Sequence, residues 1–128
     1  MSELKRILYV EDEPDIRAVA ELALSAVGGF ELCTCDCGEQ AVREAVAFAP
    51  QLMILDVMMP GMDGPSTLRA LRELPEMAGV PAIFMTAKVQ PDEVKQLLAL
   101  GALEVIPKPF DPMTLAQRVT TVWERREQ

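Results

Sequence analysis

Acidic side chains, a hydroxyl and an ammonium group stand where short apolar runs end. Glu11, Asp12 and Glu13 follow RILYV, Asp56 closes LMIL, Thr86 follows VPAIFM, and Lys108 comes just after LEVI. An acid that ends an apolar run is held by a rigid element at the rim of whatever that run builds. If Glu11, Asp12 and Asp56 are neighbours, their like charges repel strongly in a partly buried site and require a compensating cation. Ligands that are all oxygen, with room for water, suit Mg²⁺. Lys108 adds a second positive charge, able to pair with Asp56 or with an incoming phosphoryl oxygen, and Thr86 adds a small donor. Such a set stabilises the negative charge spread over a transferring phosphoryl group. The carboxylate of Asp56 is the type of nucleophile that forms aspartyl phosphates. Taken singly, Thr86 reads as a turn or cap residue and Lys108 as an exposed lysine; the argument lies in the set.

Bringing these positions together requires a fold that lines up the ends of several strands. Strand-length apolar segments lie at 6–10, 30–35, 52–57, 80–85 and 103–106. Segments with helical spacing separate them. In the first, Ile16, Val19, Ala20, Ala23 and Val27 form one apolar face, and Gly28-Gly29 ends the helix. The later helices are expected at 39–48, 65–74, 91–100 and 112–126. Pro14, Pro65, Pro91 and Pro112 each suit a first helical position, where a missing N–H costs nothing. Asp111 is a good cap for the last helix, in which Leu115, Val119 and Val122 form the inward stripe and Arg125 and Arg126 favour the C-terminal end. Five β–α units in series imply a parallel sheet with helices on both faces. LMILDV and VPAIFM read as strands buried on both sides. In such sheets, ligands bind beyond the C-terminal ends of the strands, at the switch in strand order, which is where the chemistry-bearing residues fall.

Bulk composition narrows the function further. The 128 residues fit a single domain over 1–128, with 50% hydrophobic and 25% charged residues, an ordinary globular balance. A net charge of -8 disfavours nucleic acid and anionic lipid as direct partners and suits bound cations. The absence of histidine excludes serine–histidine hydrolases, histidine kinases and phosphohistidine carriers. The start of the chain lacks the apolar stretch of a signal peptide, and no segment approaches the roughly 20 apolar residues of a membrane span. A cytoplasmic protein is expected. Cys33, Cys35 and Cys37 alternate and would share a strand face. Without a histidine or a fourth cysteine, a packing role is favoured over a metal or redox site. Gly61 and Gly64 read as turn residues with positive φ. Trp123 either covers the C-terminal turn of the last helix or meets a partner.

The segments ILYVEDEPDI, LMILDVMMPGMDG, MTA and PKPF, in that order, resemble the response-regulator receiver family (CheY-like) of two-component signalling, over essentially the whole chain. The resemblance implies a flavodoxin-like (βα)5 three-layer sandwich with a five-stranded parallel sheet in order 2-1-3-4-5. It implies phosphoryl transfer to Asp56 from a histidine kinase or histidine phosphotransfer protein. Mg²⁺ would be bound by Asp12, Asp56 and the backbone carbonyl of Met58, with Glu11 acting mostly through water. Thr86 and Lys108 would contact the phosphoryl oxygens, and the Lys108–Pro109 bond would be cis. Such a protein catalyses only its own phosphorylation and dephosphorylation. If the chain is the whole natural protein, output would come through a downstream protein effector at the face of the fourth helix, fifth strand and fifth helix; homodimerisation through that face stays open. Two positions depart from the common pattern. Glu11 stands where aspartate is more usual, and Val105 stands where an aromatic ring often turns inward with the threonine. Met58 and Lys88 occupy positions that tune dephosphorylation, so an altered phosphoryl lifetime is expected.

Two rival readings remain at this stage. A hydrolase on a related sheet would place a second acid two residues after the nucleophile for acid–base work, but Met58 stands there. A phosphorylation-independent interaction module would keep the shape without the switch, and Val105 gives it some support. A nucleotide or flavin domain fits less well, because no glycine-rich loop follows the first strand.

Overall fold

The structure is a computed structural model and describes residues 3–126. Five strands, β1 (Arg6–Val10), β2 (Glu31–Cys35), β3 (Leu52–Asp56), β4 (Ala82–Thr86) and β5 (Glu104–Pro107), form one sheet in the order β2-β1-β3-β4-β5. Every pairing is parallel. The helices are α1 (Pro14–Glu21), α2 (Gly38–Phe48), α3 (Gly64–Arg72), α4 (Pro91–Ala99) and α5 (Leu115–Glu124). This is the expected flavodoxin-like (βα)5 sandwich.

Alternation along the strands splits the core in two. Leu8, Val10, Met53, Leu55, Phe84 and Val105 face one layer, with Ala41 and Ala45 of α2, Leu68 and Leu71 of α3 and Leu97 of α4. Ile7, Tyr9, Ile54, Ile83, Met85 and Ile106 face the other, with Ala20 of α1 and Leu115, Val119 and Trp123 of α5. Strands β3 and β4 are buried at every residue, which explains their unbroken apolar runs. The same alternation places Glu11 in phase with Tyr9, and Asp56 in phase with Ile54.

The helices differ from the sequence reading in instructive ways. The first apolar face does not run to its end. After α1 the chain continues as a π-helical stretch, Leu22–Val27, and the Gly28 N–H reaches back five residues to the Ala23 carbonyl. The wider turn breaks the 3.6-residue phase, so Ala23 and Leu24 face inward while Val27 is exposed; Val19, before that turn and still within α1, is exposed as well. Gly29, at φ 78°, then closes the helix as expected. The last helix begins at Leu115 rather than at Pro112. The Asp111 side chain accepts from the Met113 N–H at 2.9 Å and its carbonyl from the Thr114 and Leu115 N–H groups, so this stretch forms a separate turn first. Pro14 and Pro91 open α1 and α4 as expected, but Pro65 is the second residue of α3. Asp63 caps that helix, accepting from the Ser66 N–H at 2.8 Å. Arg72 ends α3, and a 3-10 turn at Pro75–Met77 follows.

The glycines after β3 have two different reasons. Gly61, at φ 75°, takes the left-handed conformation that the turn demands. Gly64 does not. A Cβ there would lie 2.5 Å from the Asp56 carbonyl oxygen, so glycine lets α3 start against the backbone of β3. Trp123 is buried, with the Arg126 guanidinium 3.5 Å from its ring centre, so the covering role is the one the structure adopts.

Candidate functional site

The strand order reverses direction between β1 and β3, and the chain leaves both strands at the same edge of the sheet. Register brings Val10 opposite Leu55, so Glu11 and Asp56, one residue further along, lie side by side. Both are buried, at 0% and 1% exposure, and Asp12 beside them is half-buried. One carboxylate oxygen from each of Glu11, Asp12 and Asp56 lies within 4.8 Å of the others. Lys108 reaches in from the end of β5, with its Nζ 2.8 Å from Asp56 Oδ1 and 3.1 Å from Glu11 Oε1. Thr86, buried at the end of β4, accepts from the Lys88 N–H at 3.0 Å through its hydroxyl, and its carbonyl accepts from the Lys108 N–H. The Lys108–Pro109 bond is cis, as the resemblance implies.

The electrostatics are unbalanced. Burial, and then the charge of Asp56, push the Glu11 carboxyl up to about 7, against the opposing pull of Lys108. Burial also raises Asp56, again opposed by Lys108. Lys108 is raised despite its burial, because it is bonded to Asp56 and Glu11. One ammonium therefore serves a group of three acids. Asp12 Oδ1 is buried without a hydrogen-bond partner. A crowded set of oxygen donors, one of them orphaned, fits a hard divalent cation of the Mg²⁺ type.

Sequence reasoning missed two participants. Tyr9 is fully buried, and its hydroxyl finds no hydrogen-bond partner. Burial, then the charges of Glu11 and Asp56, hold its phenol in the protonated form. The signal was available: Tyr9 is two residues before Glu11 on one strand and so shares its face. Arg17, on α1, donates to the Glu11 carbonyl at 2.8 Å, fixing the backbone after β1. A cleft of about 560 Å³ opens over the site, with Asp56 and Lys108 at its base and Ile16, Val19, Met58 and Phe110 on its walls. Met58 is exposed there and Val105 is buried on the opposite face of the sheet. Lys88 lies exposed two residues beyond Thr86.

A parallel sheet in this order, carrying acids, hydroxyl and lysine at its C-terminal edge, defines the receiver class of signalling domains. The chain belongs to the response regulator receiver domain family, whose model matches residues 7–120. It is 35% identical, over 96% of its length, to the DNA-binding response regulator MtrA of Mycolicibacterium smegmatis, covering 52% of that protein. It is 34% identical, again over 96% of its length, to the alkaline phosphatase synthesis transcriptional regulatory protein PhoP of Bacillus subtilis, covering 50% of it. The chain thus spans about half the length of these curated relatives. Among solved structures, it superposes on the chemotaxis protein CheY4 of Vibrio cholerae with a TM-score of 0.85 at 28% identity, covering 94% of this chain and 99% of that one. A response regulator from Desulfuromonas acetoxidans matches with a TM-score of 0.83 at 31% identity, covering 94% and 97%. The protein is a response-regulator receiver domain of the two-component type. Among the described residues, no helix is long and apolar enough to cross a membrane.

Proposed function

We propose that Asp56 accepts a phosphoryl group from the phosphohistidine of a histidine kinase or histidine phosphotransfer protein. The observation that carries this reading is the bridge of Lys108 to both Asp56 and Glu11 at 2.8 and 3.1 Å, inside a cluster of acids that one cation does not neutralise. One Asp56 oxygen would attack phosphorus as the bond to the histidine nitrogen breaks. The pair of electrons from that bond leaves with the imidazole. Lys108 would move from Glu11 towards a phosphoryl oxygen, and the Thr86 hydroxyl would donate to another. Asp12, Asp56 and the Met58 carbonyl would hold Mg²⁺, with Glu11 holding one of its waters. The ion, when bound, supplies neutralisation of charge on the transferring group. The cleft walls of Ile16, Val19 and Phe110 would exclude water from the attack path. The domain would turn over only its own phosphoryl group, and its direct partners would be proteins rather than nucleic acid or membrane.

Output would pass through the face of α4, β5 and α5. The Thr86 carbonyl is bonded to the Lys108 N–H, so a pull on either residue reaches the β4–β5 edge. Helix α4 is a responsive neighbour, because Leu97 is its one buried residue. The same face is open to homodimerisation. Incubation with Mg²⁺ and a small-molecule phosphodonor, followed by mass spectrometry, tests the acceptor. One phosphoryl group should appear on the wild type and none on Asp56→Asn; addition to both would refute it.

A second reading follows from Val105, buried where an aromatic ring would report the state of Thr86. It makes the domain an interaction module indifferent to phosphorylation. Amide exchange in α4 with and without beryllofluoride separates the two: a changed exchange rate supports the switch, and identical rates support the module.

A further inference from the structure

Away from the acidic edge, the described residues hold a second group of converging ligand atoms, and this one is soft. Cys33 and Cys35 share the face of β2 that packs beneath α2, and Glu44 descends from α2 to meet them. The two sulfurs and one Glu44 oxygen all lie within 4.8 Å of one another. The sequence holds no fourth cysteine and no histidine. The fold supplies a carboxylate instead, from a position nine residues beyond Cys35 that strand alternation could not reveal.

The carboxylate is held in place from both sides. Cys33 Sγ donates to Glu44 Oε1 at 3.5 Å, while Glu44 Oε2 accepts from Gln40 Nε2 at 2.7 Å. Gln40 is fixed in turn, accepting from the Asp36 N–H at 2.9 Å. Orientation of a ligand by a second layer of hydrogen bonds is a feature of built metal sites. The spacing also agrees. Bonds of about 2.3 Å to sulfur and about 2.0 Å to oxygen, at a tetrahedral angle, place those two atoms about 3.5 Å apart. The Cys33–Glu44 pair already has that separation.

We propose that Cys33, Cys35 and Glu44 form a binding site for a thiophilic d¹⁰ cation of the Zn²⁺ class, with water as the fourth ligand. Burial keeps both thiols protonated in the metal-free protein, and Glu44 adds to that effect. Binding therefore releases two protons to solvent and leaves two thiolates and one carboxylate around a dication. Metal preference separates this site from the edge with Asp56: oxygen donors take hard Mg²⁺, and thiolates take soft ions. A bound ion would fasten β2, an outer strand of the sheet, to the helix above it.

The probe is Cd²⁺, titrated into the full chain in excess Mg²⁺ so that the acidic edge is occupied, with the ultraviolet thiolate-to-cadmium charge-transfer band as readout. The band should saturate at one ion per chain and be removed by competing Zn²⁺. Cys33→Ser should lose the two-thiolate band. Glu44→Gln, on the partly exposed helix side, should weaken binding about 10-fold or more, and Gln40→Ala about 10-fold. Cys37→Ser should change nothing. Circular dichroism and Mg²⁺-dependent phosphorylation report that each variant is folded; if Cys33→Ser is not, the Glu44 and Gln40 variants decide. No charge-transfer band, a band unaltered by Cys33→Ser, unchanged affinity in both Glu44→Gln and Gln40→Ala, or a band lost in Cys37→Ser would each overturn the proposal.

Discussion

Glu11→Gln should stabilise the metal-free protein at pH 8 and do little at pH 5. At pH 8 the wild-type edge holds three carboxylates against Lys108. Burial and Asp56 raise Glu11 from 4.5 to about 7. One pH unit of displacement corresponds to about 1.4 kcal/mol, so the ionised, fully buried side chain costs on the order of 3 kcal/mol. The sign follows from proton binding. Between pH 4.5 and 7 the folded protein keeps a proton on Glu11 that the unfolded chain releases, so stability falls as pH rises through that window. Below 4.5 both states are protonated and the penalty is absent. Glutamine removes the penalty while preserving shape, and Lys108 keeps Asp56 as its partner. The variant should therefore gain about 3 kcal/mol at pH 8, or roughly 10 °C in Tm for a domain of this size. Denaturation of both proteins in EDTA at pH 5 and pH 8 measures it. Added Mg²⁺ should narrow the difference by stabilising the wild type more, since a ligand stabilises whichever state binds it. An equal gain at both pH values, or no gain at pH 8, would refute the account of a site overcrowded with negative charge.

The other perturbations act on single contacts. Lys108→Ala leaves Glu11 and Asp56 facing each other without a counter-charge; it should destabilise the metal-free protein by about 3 kcal/mol at pH 8 and slow phosphorylation, read by denaturation and by phosphodonor kinetics. Gly64→Ala forces a methyl group to within 2.5 Å of the Asp56 carbonyl, and should cost about 2 kcal/mol together with a slower phosphorylation rate. Tyr9→Phe deletes a buried hydroxyl that has no partner, and should raise metal-free stability by about 1 kcal/mol in urea denaturation. Asp63→Ala removes the cap of α3; it should cost about 1 kcal/mol and leave the phosphorylation rate unchanged.

The apolar runs made the sheet legible, because β3 and β4 are buried on both faces and must be written in continuous hydrophobic residues. The acids, Thr86 and Lys108 were legible for a related reason: a polar group ending such a run can only emerge at the sheet edge. What the sequence hid were departures from local periodicity and contacts between distant segments. The exposure of Val27 follows from a π-helical stretch that changes the turn angle without changing residue type. Gly64 read as a turn residue because a glycine needed for close approach looks the same in sequence as one needed for its φ angle.

The two ligand clusters show the same limit from opposite sides. Glu11, Asp12 and Asp56 meet because strand order and register bring two strand ends together, and register follows from which residues alternate inward. A reader who finds the strands therefore finds the acids. Cys33, Cys35 and Glu44 meet across a strand–helix contact, where the rotation of α2 about its own axis decides which side chain descends. That rotation is set by Ala41 and Ala45 seating against the sheet, and a helix with the same residue types turned by one position would have carried Glu44 into solvent. A cluster that depends on helix rotation is thus invisible to spacing alone, whereas one that depends on strand ends is written directly into the order of the apolar runs.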